Sequence, residues 1–378
     1  MDFVLSEMQK MLQTSARDFL RTNCPGKLVR EMAKDKKGYP PELWTQMAEM
    51  GWMGLIIPEE YEGAGGTFQD LVILLEEMGR VCLLGPFFSS VALGGVTLLE
   101  VASKEQKSQY LPQLAQGKLV LTLALTEECG RLSPDAILTR ASPEGTEYII
   151  QGKKLFVPDA QVSDYLICAA KTRISEDPKD GISLFLIDAQ SPGLIINPLQ
   201  TLAGDKQCEV ILEGVKVPDQ NILGEINKGW PSLEKVLEKA VIARCAEMAG
   251  GTRQVLEMAL DYAKQRKAFG HAIGSFQAIQ HYFANMIVKA DGASLMVYQA
   301  AWRLDEHLPA SREVAMTKVL LNEFFREIAA QCLQIHGAIG FTEDHDVQLY
   351  YKRAKAWENS LGSTTYHLDR ISRDCVRL

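Results

Sequence analysis

The stretch YAKQRKAFG at residues 262–270, followed by FQ at 276–277, decides how this sequence is interpreted. A second stretch, QIHGAIGFT at residues 334–342, follows downstream. Apolar residues recur every three to four positions before each stretch, over roughly 232–266 and 311–336, and this spacing predicts two long helices. We therefore expect both stretches to lie where a long helix ends.

The residue types in these stretches suit a ligand that carries a pyrophosphate. The Arg266 guanidinium can form a charge-assisted fork with phosphate oxygens. The side-chain amides of Gln277 and Gln334 can donate further hydrogen bonds, and Gly337 allows close backbone approach. A lone arginine at a helix end more often complements the helix dipole. The occurrence of R-x-x-F-G, F-Q and Q-x-x-G in order favours a bound cofactor instead.

Composition argues against several functional classes. The 378 residues carry a net charge of -8, whereas nucleic-acid binding needs a basic face. No apolar run approaches the roughly 20 residues of a membrane span, and the N-terminal residues have no secretory or transit-signal character. The eight cysteines include no CxxC pair, and the six histidines include no pair at the helical spacing of metal ligands. We expect reduced thiols, a cytoplasmic location and no metal site.

The order of the patterns predicts an α+β multidomain fold. Helical periodicity fills the first hundred or so residues, short strands separated by Gly, Pro and Asp follow, and long helical patterns return from Trp230. Segregated blocks indicate separate domains and not a doubly wound sheet. We predict an N-terminal helical domain (1–118), a middle antiparallel β-barrel or sandwich (119–228) and a C-terminal four-helix bundle (229–378). The bundle helices are predicted at roughly 232–266, 275–305, 311–336 and 345–375.

These motifs resemble those of the acyl-CoA dehydrogenase family, flavoenzymes that desaturate acyl-CoA thioesters, over essentially the whole chain. WMGLIIPEEY at 52–61 is similar to the family's N-terminal W-x-G-L-x-x-P-E block, and EGVKVP at 213–218 is similar to the close of its middle domain. The resemblance implies FAD as the cofactor, bound between subunits. The residues that it assigns to the cofactor are Arg266, Phe269, Gly270, Gln277, Gln334, His336, Gly337, Ala338 and Thr126.

Three departures fall on the half of the site that a family member uses for its own flavin and substrate. LTE at 125–127 begins the T-E-x-x-x-G-S-D loop, but RLS at 131–133 replaces its small residues. Pro158 stands where the motif G-x-K-x-W-I-T-N has a hydroxyl donor. Continuing the register of KRAKAW at 352–357 puts Leu361 at the glutamate of the usual E-G-T. The reaction removes an α proton, and leucine cannot accept one.

Other side chains are weaker candidates for the base. Some family members carry the glutamate on an earlier helix, near Val241 in this chain, which Glu238 and Glu247 flank. Helical geometry points these two carboxylates in different directions, so we expect both to be structural or solvated. We expect the same of Asp135 and Glu358. His336 is expected to pack or contact backbone and not to act as a general base.

The resemblance implies an FAD-dependent acyl-CoA dehydrogenase, and the departures favour a half-site subunit that binds the flavin of a related, glutamate-bearing chain. LLGPFF at 83–88 resembles a branch that includes the smaller subunits of heteromeric enzymes. The expected assembly is a hetero- or homotetramer. Expected partners are an acyl-CoA, the homologous subunit and an electron-transfer flavoprotein. Two alternatives stay open: a complete homo-oligomeric dehydrogenase with a non-standard base, and a binding relative without redox chemistry.

Overall fold

The helices of the N-terminal block begin at strong local signals. In the computed structural model, which describes residues 4–376 and the side chains of residues 4–373, capping boxes at Ser6, Thr67 and Ser103 start three of them. Pro41 lies in the first turn of another. The block comprises α1 (Glu7–Asn23), α2 (Gly26–Lys34), α3 (Pro41–Glu49), α4 (Phe68–Arg80), α5 (Val96–Val101) and α6 (Lys104–Ala115). A buried π-helical segment, Phe88–Gly95, precedes α5. The sequence patterns did not predict this segment, α2 or α5.

The middle block is one eight-stranded, mostly antiparallel sheet in the order β6-β7-β3-β2-β4-β5-β8, with β1 pairing parallel to β4. Its strands are β1 (Leu121–Ala124), β2 (Arg140–Glu144), β3 (Glu147–Pro158), β4 (Tyr165–Lys171), β5 (Ile182–Asp188), β6 (Leu194–Leu199), β7 (Gln207–Pro218) and β8 (Ile222–Leu223). Alternate residues of β7 are buried, and they join a core that contains Ile150 and Phe185. The sequence pattern predicts two short strands here, at 208–212 and 215–217. They form one strand, because β3 pairs along nearly the whole length of β7.

The C-terminal block contains one helix more than the four that the sequence predicts. It comprises α7 (Gly229–Gln265), β9 (Lys267–Ala268), β10 (His271–Ala272), α8 (Gln277–Asp305), α9 (Ser311–His336), α10 (Val347–Asn359) and α11 (Thr364–Val376). The predicted single helix over 345–375 is wrong. Leu361 and Gly362 have φ values of 58° and 104°, which no right-handed helix accommodates.

The contacts divide the chain into two compact units. One comprises the residues up to Glu31, Thr67–Leu83 and the residues from Val241 onward; the other comprises Met32–Gly66 and Leu84–Ala240. In the first unit the Asp305 carboxylate at the end of α8 accepts the Phe68 and Gln69 N–H groups, each at 2.9 Å, and so caps α4 from a distant part of the chain. The domain boundaries after residues 118 and 228 stay a prediction.

Three properties concern functional class more than architecture. Among the described helices, none combines the length and apolar character that a membrane crossing needs. No group of three or more potential metal ligands lies together in the described part of the chain. The cysteines described there are free, and Cys375 lies outside the residues whose side chains are described.

Candidate functional site

A tight hairpin joins the end of α7 to the start of α8. The Arg266 N–H donates to the Tyr262 carbonyl at 2.8 Å and closes the last turn of α7, and β9 then pairs with β10 across Phe269 and Gly270. Both turn residues have positive φ, 52° and 83°. Gly270 adopts a positive φ at little cost in free energy, but for Phe269 the same left-handed conformation costs on the order of 1 kcal/mol. The Phe269 side chain is nevertheless 93% exposed, and its ring meets the Phe276 ring edge to face at a centroid distance of 6.4 Å.

Two polar side chains at this hairpin, those of Arg266 and Gln277, have no partner among the described residues. The Arg266 guanidinium and the Gln277 amide are exposed, and neither forms a hydrogen bond or ion pair with any residue that the structure describes. Gln277 is the first residue of α8, whose N-cap, Phe276, offers no side-chain cap. An uncapped helix N-terminus presents free N–H groups and a partial positive charge, both of which suit a phosphate.

The second stretch lies at the end of α9. Gly337 has φ 64° and ψ -143°, a conformation essentially restricted to glycine. A Cβ on Gly337 would meet no atom within 4 Å, so the backbone and not crowding requires glycine, and the space beside it is open. Gln334 and Ala338 are exposed. The structure therefore leaves an accessible backbone edge at this helix end.

His336 connects the two stretches from inside. Its ring is buried and stacks on the Tyr262 ring of α7 at a centroid distance of 4.5 Å, while its Nδ1 lies 2.7 Å from the Cys332 carbonyl oxygen. Burial lowers the pKa of His336. These contacts give His336 a packing role. They also bring the stretch that begins at Tyr262 and the stretch that begins at Gln334 together. We refer to residues 266–277 and 334–338 as the hairpin region.

In the other unit, Thr126 and Glu127 follow β1. The Thr126 carbonyl accepts the Leu155 N–H at 2.8 Å. The buried Glu127 carboxylate accepts the Leu138 and Thr139 N–H groups at 2.8 and 3.1 Å, and the ammonium of the wholly buried Lys154 lies 2.7 Å away. Burial alone would raise the pKa of Glu127, but the attraction of Lys154 and these hydrogen bonds lower it.

Two of the three departures lie in this same unit. Pro158 ends β3, and its carbonyl accepts a hydrogen bond from the Thr122 hydroxyl. Arg131 is exposed and pairs with Asp135, also largely exposed, at 3.0 Å. An exposed ion pair of this kind contributes at most about 1 kcal/mol. Asp135 is thus occupied by a structural pair. Whether Arg131 crowds a thioester stays a prediction.

The third departure, Leu361, lies in the segment between α10 and α11, and three of the other carboxylates proposed as bases have partners. Glu358 pairs with Arg326 and Lys355 at 3.1 and 3.2 Å. Glu247 is buried beside Arg244; burial raises the pKa of Glu247, against the pull of that guanidinium. Glu238, in the other unit, is partly exposed and also interacts within the chain.

Sequence reasoning missed four buried polar residues that shape these regions: Lys154, Lys318, Asn322 and His367. Residues of these types are mostly exposed in proteins, so no local pattern places them inside. Lys154 belongs to the G-x-K-x-W-like strand, which was the one available signal. The other three lie around the segment that carries Leu361.

The structure thus combines a helix–sheet–helix order with a hairpin, between two long helices, whose exposed groups suit a pyrophosphate. Family descriptions match nearly the whole chain: acyl-CoA dehydrogenase N-terminal domain at residues 6–118, middle domain at 122–215 and C-terminal domain at 227–375. The chain belongs to the acyl-CoA dehydrogenase family. The family and fold class predicted from the sequence are therefore confirmed.

Individual relatives extend this similarity over full chain lengths. The chain is 35% identical to the 3-(aryl)acrylate reductase of Clostridium sporogenes, over 92% of this chain and 93% of that protein. It is 33% identical to the caffeyl-CoA reductase-Etf complex subunit CarC of Acetobacterium woodii, over 93% and 94%. A chain of the ChsE4-ChsE5 complex from Mycobacterium tuberculosis matches at a TM-score of 0.91 with 28% identity, covering 100% of both chains.

FAD is the cofactor of this family, and the hairpin region fits it. The exposed Arg266 guanidinium is free to bind phosphate, the N-terminus of α8 is uncapped, and the space at Gly337 is open. These are the features that a pyrophosphate-bearing group needs. The individual cofactor contacts, including those of Thr126, His336 and Ala338, stay predictions.

Proposed function

We propose that this chain is a subunit of an FAD-dependent acyl-CoA oxidoreductase whose hairpin region binds the flavin of a related subunit. The carrying observation is the absence of a carboxylate at Leu361, while the hairpin region keeps every group that the flavin would need. Glu247 and Glu358 do not replace the missing base, because each is held in an ion pair. The related subunit would supply the glutamate.

The proposal assigns separate tasks to separate residues. Bound FAD supplies the two-electron redox chemistry at the α and β carbons of the acyl group. Arg266 would hold the pyrophosphate by charge and hydrogen bonds, Gln277 and Gln334 would donate further hydrogen bonds, and the exposed Phe269 would offer an apolar contact. Leu361 presents an apolar side chain where a proton acceptor would stand. No proton at the α carbon can therefore be moved by this position.

The similar proteins support both the assembly and the partner. One relative is named as a subunit of a reductase-Etf complex, and one structural neighbour is a complex of two differently named chains. By analogy we propose an electron-transfer flavoprotein as redox partner, a homologous glutamate-bearing chain in a tetramer, and a cytoplasmic location.

A second candidate function concerns the direction of the reaction. Two relatives with 33–35% identity are named as reductases of acrylate-type substrates. This observation favours reduction of a conjugated acyl-CoA by the assembled enzyme. Anaerobic assays of the purified native complex with cinnamoyl-CoA and a reduced dye test it. Oxidation of butyryl-CoA or octanoyl-CoA without any reduction of cinnamoyl-CoA would contradict it.

Turnover by the chain purified alone tests the half-site proposal. Losing a positioned base typically costs about a hundredfold or more. We expect acyl-CoA dehydrogenation, followed with an artificial electron acceptor over several chain lengths, to be reduced by about that factor relative to a glutamate-bearing family member. Leu361→Glu should not restore the full rate, and Leu368→Glu on the exposed side of α11 is the matched control.

Robust turnover by the lone wild-type chain would contradict the proposal and favour a complete dehydrogenase with a non-standard base. Co-purification from the native cell, with flavin and subunit stoichiometry, identifies the partner. Light scattering at micromolar concentration adds a separate check, because a flavin-bearing monomer would exclude a site shared between subunits. A colourless protein that takes up no FAD would favour the binding relative.

A further inference from the structure

The segment that carries Leu361, residues 360–363, is held in a strained conformation. Leu361 has φ 58°, and left-handed geometry costs a leucine on the order of 1 kcal/mol. Gly362 follows with φ 104°, and a Cβ there would lie 2.5 Å from the Tyr366 ring and 2.7 Å from His367 Nε2. The segment is therefore pressed onto the first turn of α11, and its shape needs support from other residues.

Helix α9 supplies one part of that support through Lys318 and Asn322, one turn apart on the same face. The buried Lys318 ammonium donates to the Asn322 side-chain oxygen at 2.7 Å and to the Trp357 carbonyl at 2.6 Å. Asn322 in turn donates to the Thr364 hydroxyl at 3.2 Å. The two residues thus bind the backbone just before the segment and the side chain just after it.

His367 supplies the other part from within α11. Its Nε2 lies 3.0 Å from the Leu361 carbonyl oxygen, and since a carbonyl only accepts, Nε2 carries the hydrogen. Burial, with the Lys318 and Arg370 charges, lowers the pKa of His367 to about 4, so the ring is neutral near pH 7. A neutral, wholly buried donor thus binds the strained residue itself.

Stability alone is a poor reason for this arrangement. Burying an ammonium carries a desolvation penalty of several kcal/mol, and well-packed apolar residues in place of buried charges are often no less stable. The Trp357 carbonyl also accepts the Ser360 N–H at 3.2 Å, so it does not depend on Lys318 for a partner. The three side chains share one property: each belongs to the hydrogen-bonded group that binds residues 360–363 or the residues beside them, at Trp357, Leu361 and Thr364.

We infer that Lys318, Asn322 and His367 are positioning residues that hold residues 360–363 as a preformed wall of an acyl-CoA site. This inference rests on the proposed function, because that function places the Leu361 segment beside the thioester. The segment carries no carboxylate or other base, so this chain binds an acyl-CoA without converting it. The ligand class is an acyl-CoA thioester.

We call Lys318, Asn322 and His367 together the clamp. Hydrogen exchange of the backbone amides of residues 360–364 tests whether the clamp holds the segment, and it requires no enzyme assay. We expect His367→Leu and Lys318→Met to speed exchange over residues 360–364 roughly tenfold or more, since each removes a buried hydrogen bond. His367→Gln keeps an N–H donor of similar reach and should restore slow exchange. Thr317→Val is the matched control, because its buried hydroxyl donates to the Glu313 carbonyl of its own helix. Asn322→Ala replaces any variant that does not fold. Unchanged exchange in the folded variants would overturn the clamp.

Binding of octanoyl-CoA to the flavin-loaded chain tests the link to the substrate. We expect wild type and His367→Gln to bind it and to protect residues 360–364, and His367→Leu to bind roughly tenfold more weakly. If His367→Leu exchanges faster but its affinity for octanoyl-CoA stays within about twofold of wild type, the positioning role is overturned. The same conclusion follows if the wild-type chain binds no octanoyl-CoA. Failure of the proposed function would give a different result. In that case hydrogen exchange would show that the clamp is intact, but the chain would take up no FAD.

Discussion

The hairpin region and the residues around Thr126, Pro158 and Leu361 differ in what their side chains do for this chain. Arg266 and Gln277 are exposed, and their side chains bind none of the residues that the structure describes, while Phe269 lies in a strained, solvent-facing turn. By contrast, Glu127 and the backbone groups of Pro158 and Leu361 are held by internal hydrogen bonds. Groups that folding does not use are the ones available to a ligand, so the hairpin region is the better candidate for the binding function.

The largest expected effect concerns Glu127, the most strongly held side chain near Thr126. Glu127→Gln leaves the Lys154 ammonium buried without a counter-charge and should lower the free energy of unfolding by about 3–5 kcal/mol. Urea unfolding measures the change. The control is Glu128→Gln, because the exposed Glu128 carboxylate lies 3.4 Å from Lys153, and the change should stay within about 0.5 kcal/mol.

The same pair predicts a pH dependence. The folded-state pKa of Glu127 is lowered, so its contribution is present above the ordinary carboxyl range and is lost as the pH falls through that folded-state pKa. The stability difference between wild type and Glu127→Gln should therefore shrink in acid. A constant difference would show that Lys154 does not depend on the Glu127 charge.

The next effect concerns Lys318, whose pKa is lowered from an ordinary 10.5 to about 8, first by burial and then by the nearby Arg244 charge, against the attraction of Glu358. The folded state then disfavours the ammonium, a penalty fully present below pH 8 and removed as the pH rises towards 10.5. Since one pKa unit corresponds to about 1.4 kcal/mol, wild type should gain about 3 kcal/mol relative to Lys318→Met over this window. Unfolding curves at several pH values measure it. Lys267→Met, at an exposed lysine, should show no such trend.

The smallest effect is on cofactor retention. Arg266→Ala should weaken FAD binding by about 1.5–3 kcal/mol, because the pyrophosphate loses a charge-assisted fork, and should leave the free energy of unfolding of the flavin-free chain unchanged. Flavin occupancy after extensive dialysis measures it. The control is Lys264→Ala, at an exposed cation two residues earlier whose pairing with Asp261 at 3.6 Å is local. Equal flavin occupancy in wild type and Arg266→Ala would exclude the assignment.

The sequence predicts some secondary-structure elements of this chain well and others poorly. The spacing of Ser103 and Gln106 in the sequence predicts a capping box, which the structure confirms. The helices α7, α8 and α9 lie within about three residues of their predicted bounds, because caps and helical periodicity are local. The break in the predicted helix over 345–375 was missed. Gly362 is a weak breaker signal by itself, and the contacts with Lys318 and His367 that stabilise the break come from distant residues or a later turn.

The sequence by itself determined the family, the helix–sheet–helix order and the cofactor class, because each depends on residue identity and short-range spacing. Only the tertiary structure decided that Lys154 and Lys318 are buried, that His336 packs against Tyr262, and that β7 is one strand. Those features depend on which distant groups meet, since a buried charge or a continuous strand is stable only where its partners converge.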